Sequence, residues 1–129
     1  MAARGRAAKQ SGRAEVVVLG GGFAGLAALR SLPPRFRTTL VDERTAFEFL
    51  PNIHELISGL KSPGLLRLPL RPLVKRAAAR FVQGRVVDVD PVERRVRLAG
   101  GRSLRYDALV FALGGVNAAR GVAGVERFA

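Results

Sequence analysis

Three glycines and one acid carry the clearest chemistry in this chain. Gly20, Gly22 and Gly25 stand in the spacing G-x-G-x-x-G within "VVVLGGGFAGL", and Asp42 follows 22 residues after Gly20. In that spacing the first glycine permits a tight turn out of a strand. The second leaves room for a pyrophosphate against the backbone, and the third lets a helix pack closely on the strand. The helix start then presents unpaired N–H groups and the positive end of its dipole to phosphate oxygens. An acid about 20 residues further on accepts hydrogen bonds from a ribose diol. Glu43 adds a second negative charge beside Asp42, which argues against a ribose 2′-phosphate, and so against NADP, despite Arg44.

Such a motif has meaning only between a strand and a helix. "EVVVL" (15–19) is a short β-branched run, the composition of a buried parallel strand. "FAGLAALRSL" places Phe23, Leu26, Ala27 and Leu29 at helical spacing, and Pro33–Pro34 ends that helix. "RTTLVD" (37–42) is a second strand, so residues 15–42 read as β–turn–α–β. Pro51 opens a short helix with Ile53, Leu56 and Ile57 on one side, closed by Gly59. A second short helix is expected to start after Pro72. "RFVQGRVVDVDPVERRVRLAGGRSLRYD" then alternates apolar with polar residues, as a third core strand running into an antiparallel meander. "ALVFAL" (108–113) reads as another buried strand, and "VNAARGVAGVERFA" as loop. The fold class is therefore α/β: a Rossmann-like parallel sheet with an antiparallel β-meander.

Composition narrows the partners. The chain has 129 residues, a formal charge of +12 and no cysteine, which excludes disulfides, thiolate metal sites and a cysteine nucleophile within it. Of the 22 cationic residues 19 are arginine, but they are scattered, and aromatic residues make up only 6%. Stacking platforms for bases are scarce, so a nucleic-acid partner ranks last and a compositional bias toward arginine explains most of the charge. No run of 18 apolar residues occurs. The basic start followed by apolar residues mimics a secretion signal, but Glu15 interrupts the join and Gly20–Gly22 would break its helix. Residues 1–13 read as a flexible basic tail. No His/Asp/Glu cluster has metal-ligand spacing, and no Ser/His/Asp set is visible.

Taken in order, "VVVLGGGFAGLAALRSL", "TTLVDE", "FLPNIHELISG", "RLPLRPL", "FVQGRVVDVD" and "LRYDALVFALGG" resemble the two-dinucleotide-binding flavoproteins. Within them the chain most resembles the type II NADH dehydrogenases, single-subunit NADH:quinone oxidoreductases. The P-x-[LI]-H-E-[LV]-x-x-G pattern at 51–59 is the most specific piece, and the likeness extends over about residues 14–127. The resemblance implies FAD at this glycine loop, with NADH at a second fingerprint that this chain does not contain. It implies that Gly20, Gly22, Phe23, Ala24 and Gly25 cradle the pyrophosphate and that Asp42, with Glu43 beside it, holds the adenosine ribose. Val86 would meet the adenine through its backbone, Ala112 and Gly114 would lie against the cofactor, and Pro51 would come near the flavin and quinone side. Leu113 stands where the broader superfamily often has threonine, which favours the dehydrogenase branch, whereas Glu43 and Ala46 depart from that branch.

The same resemblance makes residues 14–129 the N-terminal part of an FAD-binding domain, its remainder and the NAD-binding domain absent. This chain alone is then expected to be inactive, its catalytic residues unknown. A sulfide:quinone or ferredoxin-type reductase and a non-catalytic dinucleotide-binding fragment are the competing readings. The implied location is cytoplasmic, with peripheral contact at the inner face of the plasma membrane in view. An incomplete sheet would expose an edge, so marginal stability or self-association is expected. Several residues keep two readings: His54 as a polar group near a flavin or as a solvated helix residue, Glu55 as a quinone contact or an exposed helix face, Asp107 as a family position or a strand-start cap. Tyr106 and Phe111 read as packing, and "RRVR" (94–97) as a solvated strand face or a contact with an acidic membrane.

Overall fold

The computed structural model describes residues 12–115. The basic tail up to residue 11 and the loop expected over 116–129 lie outside the described residues. Nine strands and three helices follow in order: β1 (Glu15–Leu19), α1 (Phe23–Ser31), β2 (Arg37–Asp42), β3 (Ala46–Glu48), α2 (His54–Ile57), β4 (Arg67–Pro69), α3 (Leu70–Arg76), β5 (Arg80–Gln83), β6 (Val86–Asp90), β7 (Arg95–Leu98), β8 (Ser103–Arg105) and β9 (Ala108–Phe111). β1, β2, β5 and β9 form one parallel sheet in the order β5-β2-β1-β9, while β6, β7 and β8 form an antiparallel sheet. The expected α/β class with a meander is the architecture found.

Alternation along the strands explains the layering. Side chains on a strand point to opposite faces in turn. Val18 and Leu40 face α1 and α3, meeting Leu29, Leu70 and Val74. Val17, Leu19, Val41 and Val82 face the meander, meeting Val96 and Leu98. Both faces of the parallel sheet are thus covered, which is why the central strand β1 is a continuous apolar run from Val16 to Leu19.

Three expectations are corrected. α3 begins at Leu70, with Pro69 at its N-cap, and not after Pro72. The Leu70 N–H donates to the Thr45 carbonyl at 2.8 Å. Pro72 falls in the first turn, where a missing N–H forfeits no helical bond. β9 ends at Phe111, short of residue 113. Its last bond to β1 is Ala112 N–H to the Leu19 carbonyl at 2.8 Å, and the chain of β1 then turns away at Gly20. The helix expected from Pro51 is a 3-10 turn (Leu50–Asn52) followed by the single turn of α2, and Gly59 closes it at φ +73°. Its apolar side is not buried, since Ile57 is 87% exposed. The short ribbon of β3 and β4 was not expected; it pins the two ends of this excursion together.

Leu70 is fully buried between α1 and the sheet. Leu70→Ala is expected to lower stability by about 3 kcal/mol through lost burial and the cavity left behind. Denaturant unfolding checks this, and a loss below about 1 kcal/mol would contradict the packing described.

Candidate dinucleotide site

Parallel strands end together, and here their carboxyl ends share one edge. Leu19 stands opposite Val41 and Phe111, and Asp42 opposite Gln83. Ligands of open α/β sheets bind outside that edge. Four segments separated in sequence therefore converge: the glycine loop after β1, Asp42 and Glu43 at the end of β2, Gly84–Val86 after β5, and Ala112–Gly114 after β9. The closure is tight, with Gly20 N–H donating to the Val41 carbonyl at 2.8 Å and Gly84 N–H to the Asp42 carbonyl at 2.9 Å.

The three motif glycines differ in what surrounds them. Gly20 sits at φ +104°, and a Cβ there would overlap the carbonyl of Ala112. A Cβ on Gly25 would overlap the carbonyl oxygen of Gly20, so this residue sets how closely α1 approaches β1. Gly22 is the N-cap of α1, at φ −80°, and a Cβ there would meet nothing within 4 Å. Its absence of a side chain is not required by the protein and leaves open space in front of the helix. No side chain caps α1, and the first bond across its start is Leu26 N–H to the Gly22 carbonyl at 3.0 Å. The N–H groups of Phe23, Ala24 and Gly25 precede that bond and, as in any helix start, lack intrahelical acceptors.

Asp42 is buried and already has two bonds. Its Oδ2 accepts the N–H of Gly21 at 2.6 Å, and its Oδ1 accepts the N–H of Arg44 at 2.8 Å. The Arg44 guanidinium lies 3.8 Å from the same Oδ1. The carboxylate thus clasps the glycine loop as well as ending β2. Gly21 as the donor in this clasp was not anticipated; the signal was the acid itself, buried one residue from a turn. Glu43 is exposed, and its carbonyl accepts from the Gln83 side chain at 3.1 Å.

Aromatic packing fixes the mouth of the loop. The Phe23 ring meets Phe47 edge-on at 4.8 Å and Phe49 at 5.7 Å. The alternation "FEF" at 47–49 was the sequence trace of this cluster. It ties the 46–70 excursion, with exposed Pro51, to the start of α1. Below Pro51 a small cavity of about 220 Å³ opens between Phe49, Leu50, Ile53, Leu56, Pro63 and Leu66. Val86 begins β6, half-buried, opposite Leu98. Ala112 is buried against the glycine loop, and Gly114 is exposed at φ +73°.

The residues that kept two readings are placed as follows. His54 is exposed. Glu55 is held by Lys61 at 2.6 Å. Asp107 accepts the Glu15 N–H at 2.7 Å, which makes it a clip between the starts of β1 and β9. Tyr106 packs against the meander core and donates its hydroxyl to the Asp90 carbonyl at 3.3 Å, whereas Phe111 is 64% exposed at the sheet edge. Arg97 pairs with Asp88 at 3.0 Å and Asp90 at 3.5 Å on the solvated side of β7. Among the described residues, no helix is long and apolar enough to cross a membrane.

Comparison with known proteins decides the family. The model of the pyridine nucleotide-disulphide oxidoreductases matches residues 14–129. The chain belongs to the pyridine nucleotide-disulphide oxidoreductase family. Among curated relatives, the sulfide-quinone reductase of Aquifex aeolicus is 34% identical over 102 residues, covering 77% of this chain and 24% of that protein. The type II NADH:quinone oxidoreductase of Staphylococcus aureus is 29% identical over 119 residues, covering 88% and 29%. In three dimensions the Aquifex aeolicus sulfide:quinone oxidoreductase superposes with a TM-score of 0.79 at 32% identity, over 88% of this chain and 27% of that one. NDH2 of Plasmodium falciparum shares the fold, with a TM-score of 0.76 at 22% identity, over 91% and 25%. This family member spans about a quarter of the length of the curated relatives it matches.

The glycine geometry predicts a contrast. Gly22→Ser, at an open N-cap, is expected to change stability by no more than about 0.5 kcal/mol. Gly25→Ala is expected to lose about 2 kcal/mol, because α1 must move off β1. Paired unfolding curves measure both, and equal costs would refute the separate roles.

Proposed function

We propose that this chain supplies the FAD-binding N-terminal part of a two-dinucleotide oxidoreductase whose whole form passes electrons from NADH to a quinone. The observation that carries the reading is the convergence of the glycine loop, Asp42, Val86 and Ala112–Gly114 on one edge of the parallel sheet. The residues present fit the cofactor. Open space at Gly22 admits a pyrophosphate against the N–H groups of Phe23, Ala24 and Gly25, and the helix dipole favours its charge. A carboxylate has about four acceptor positions, so Asp42 keeps capacity for a ribose diol after its two backbone bonds. Val86 would meet the adenine, and Pro51 would lie toward the flavin. The bound flavin would supply the hydride and electron chemistry, while these residues position it and exclude water.

Quinone acts as acceptor in the names of several relatives, which supports that half of the reading. A second reading takes sulfide as the donor. It is favoured by the 34% identity to the Aquifex aeolicus sulfide-quinone reductase. This chain has no cysteine, so a thiol for sulfide chemistry would come from outside it. In either reading the chain would sit in the cytoplasm or peripherally on the membrane that holds the quinone.

Titration of the purified chain with FAD is the test. Saturable quenching of flavin fluorescence is expected, with stabilisation of about 2.7 kcal/mol at a hundred-fold excess over Kd. NAD is expected to give far less. Gly22→Val, which keeps the fold but fills the open space, is expected to weaken FAD about ten-fold or more. The chain alone is expected to show no NADH oxidation with a soluble quinone. Absence of any FAD binding, or equal binding by Gly22→Val, would overturn the proposal.

A further inference from the structure

The opposite edge of the sheet, where the parallel strands begin, is built from arginine. The starts of β1, β2 and β5, with the turns of the meander, border an open cavity of about 960 Å³. Among the described residues, Arg13, Arg37, Arg80, Arg94 and Arg105 line it, against two carboxylates, Glu15 and Asp107. Both acids are committed: Glu15 binds the Arg37 guanidinium at 2.7 Å, and Asp107 accepts the Glu15 N–H. Among the described residues, Arg13, Arg80, Arg94 and Arg105 have no carboxylate partner. A guanidinium keeps its charge at any physiological pH, so this edge carries a standing positive field that attracts anions.

The backbone at the Arg94 end of this wall is held in place. Arg94 takes a left-handed backbone, φ +50°, which a side chain of its size rarely adopts. Asp90 Oδ1 accepts the N–H groups of Val92 at 3.0 Å and Glu93 at 2.8 Å, and Tyr106 N–H donates to the Arg94 carbonyl at 3.0 Å. Thr39, Ser103 and Tyr106 line the same cavity.

We propose that this cavity is a second anion site, for a compact ligand dense in phosphate, such as a triphosphate chain. Guanidinium forks match phosphate oxygens two at a time. The opening is concave, which suits a small ligand and not a flat bilayer. Among the described residues Tyr106 is its only aromatic, so the cavity lacks the row of stacking faces that a nucleic acid uses. A strand of five residues separates this edge from the glycine loop by roughly 15 Å, so the two sites are independent.

Calorimetric titration of the full chain with inorganic tripolyphosphate, at physiological salt, tests it. One saturable site is expected. Arg80→Gln with Arg105→Gln is expected to weaken it about ten-fold or more, the effect of losing a charge-assisted hydrogen bond. Lys75→Gln with Arg76→Gln, an equal charge change on α3, is expected to weaken it less than about two-fold. Gly22→Glu, which blocks the glycine loop, is expected to keep the affinity. In that background, ATP binding as tripolyphosphate does identifies the phosphate chain as the ligand, and tighter ATP binding identifies a nucleotide; both support the site. Thermal unfolding verifies that each variant is folded, and Arg13→Gln alone replaces the double variant if that one is not. No binding, equal weakening by the two charge-matched pairs, or loss in Gly22→Glu would overturn the proposal.

Discussion

Gly25 lies against the carbonyl of Gly20, and nothing larger than hydrogen fits between helix and strand there. That approach decides where α1 begins, and the position of its first N–H groups decides where a phosphate can sit. It also lets Leu29 reach the face of the sheet shared by Val18 and Leu40. The excursion between β2 and β5 is fitted to the same point, because Leu70 packs beside Gly21 and the Phe47 and Phe49 rings meet Phe23. Had α1 stood one methyl group further away, these contacts would not close together.

Asp42 then couples the loop to the sheet. A buried carboxylate is costly unless its oxygens find donors. Here the Gly21 and Arg44 N–H groups meet that need, and the carboxylate holds the glycine loop in place before any ligand arrives. A site whose shape exists in advance wastes little binding free energy on ordering. One acid is therefore both a structural clasp and the candidate ribose acceptor.

The parts of the fold legible from the residues alone were those with local patterns. Val16–Leu19, the glycine spacing and Thr38–Asp42 make β1, α1 and β2 readable, and the strict alternation after Arg80 makes the meander readable. The β3–β4 ribbon was not, since three-residue strands 19 positions apart leave no period. α3 was misplaced because Pro72 looks like a helix start, while the anchoring contact of Leu70 with Thr45 is tertiary. The candidate site was legible at its glycines and at Asp42, and less so at Phe47 and Phe49, whose partner lies in another element. The arginine-lined cavity was invisible, because residues 13, 37, 80, 94 and 105 look scattered until the strand starts are brought to one edge.

The proposed dinucleotide site is the carboxyl edge of the sheet, centred on the start of α1. Amide NMR of the labelled chain during FAD titration tests it most directly. The Gly21, Gly22, Phe23, Ala24 and Gly25 signals are expected to shift most, with those of Val86 and Gly114 following. Unchanged signals in the loop, or the largest shifts at Arg80 and Arg105 on the other edge, would contradict it.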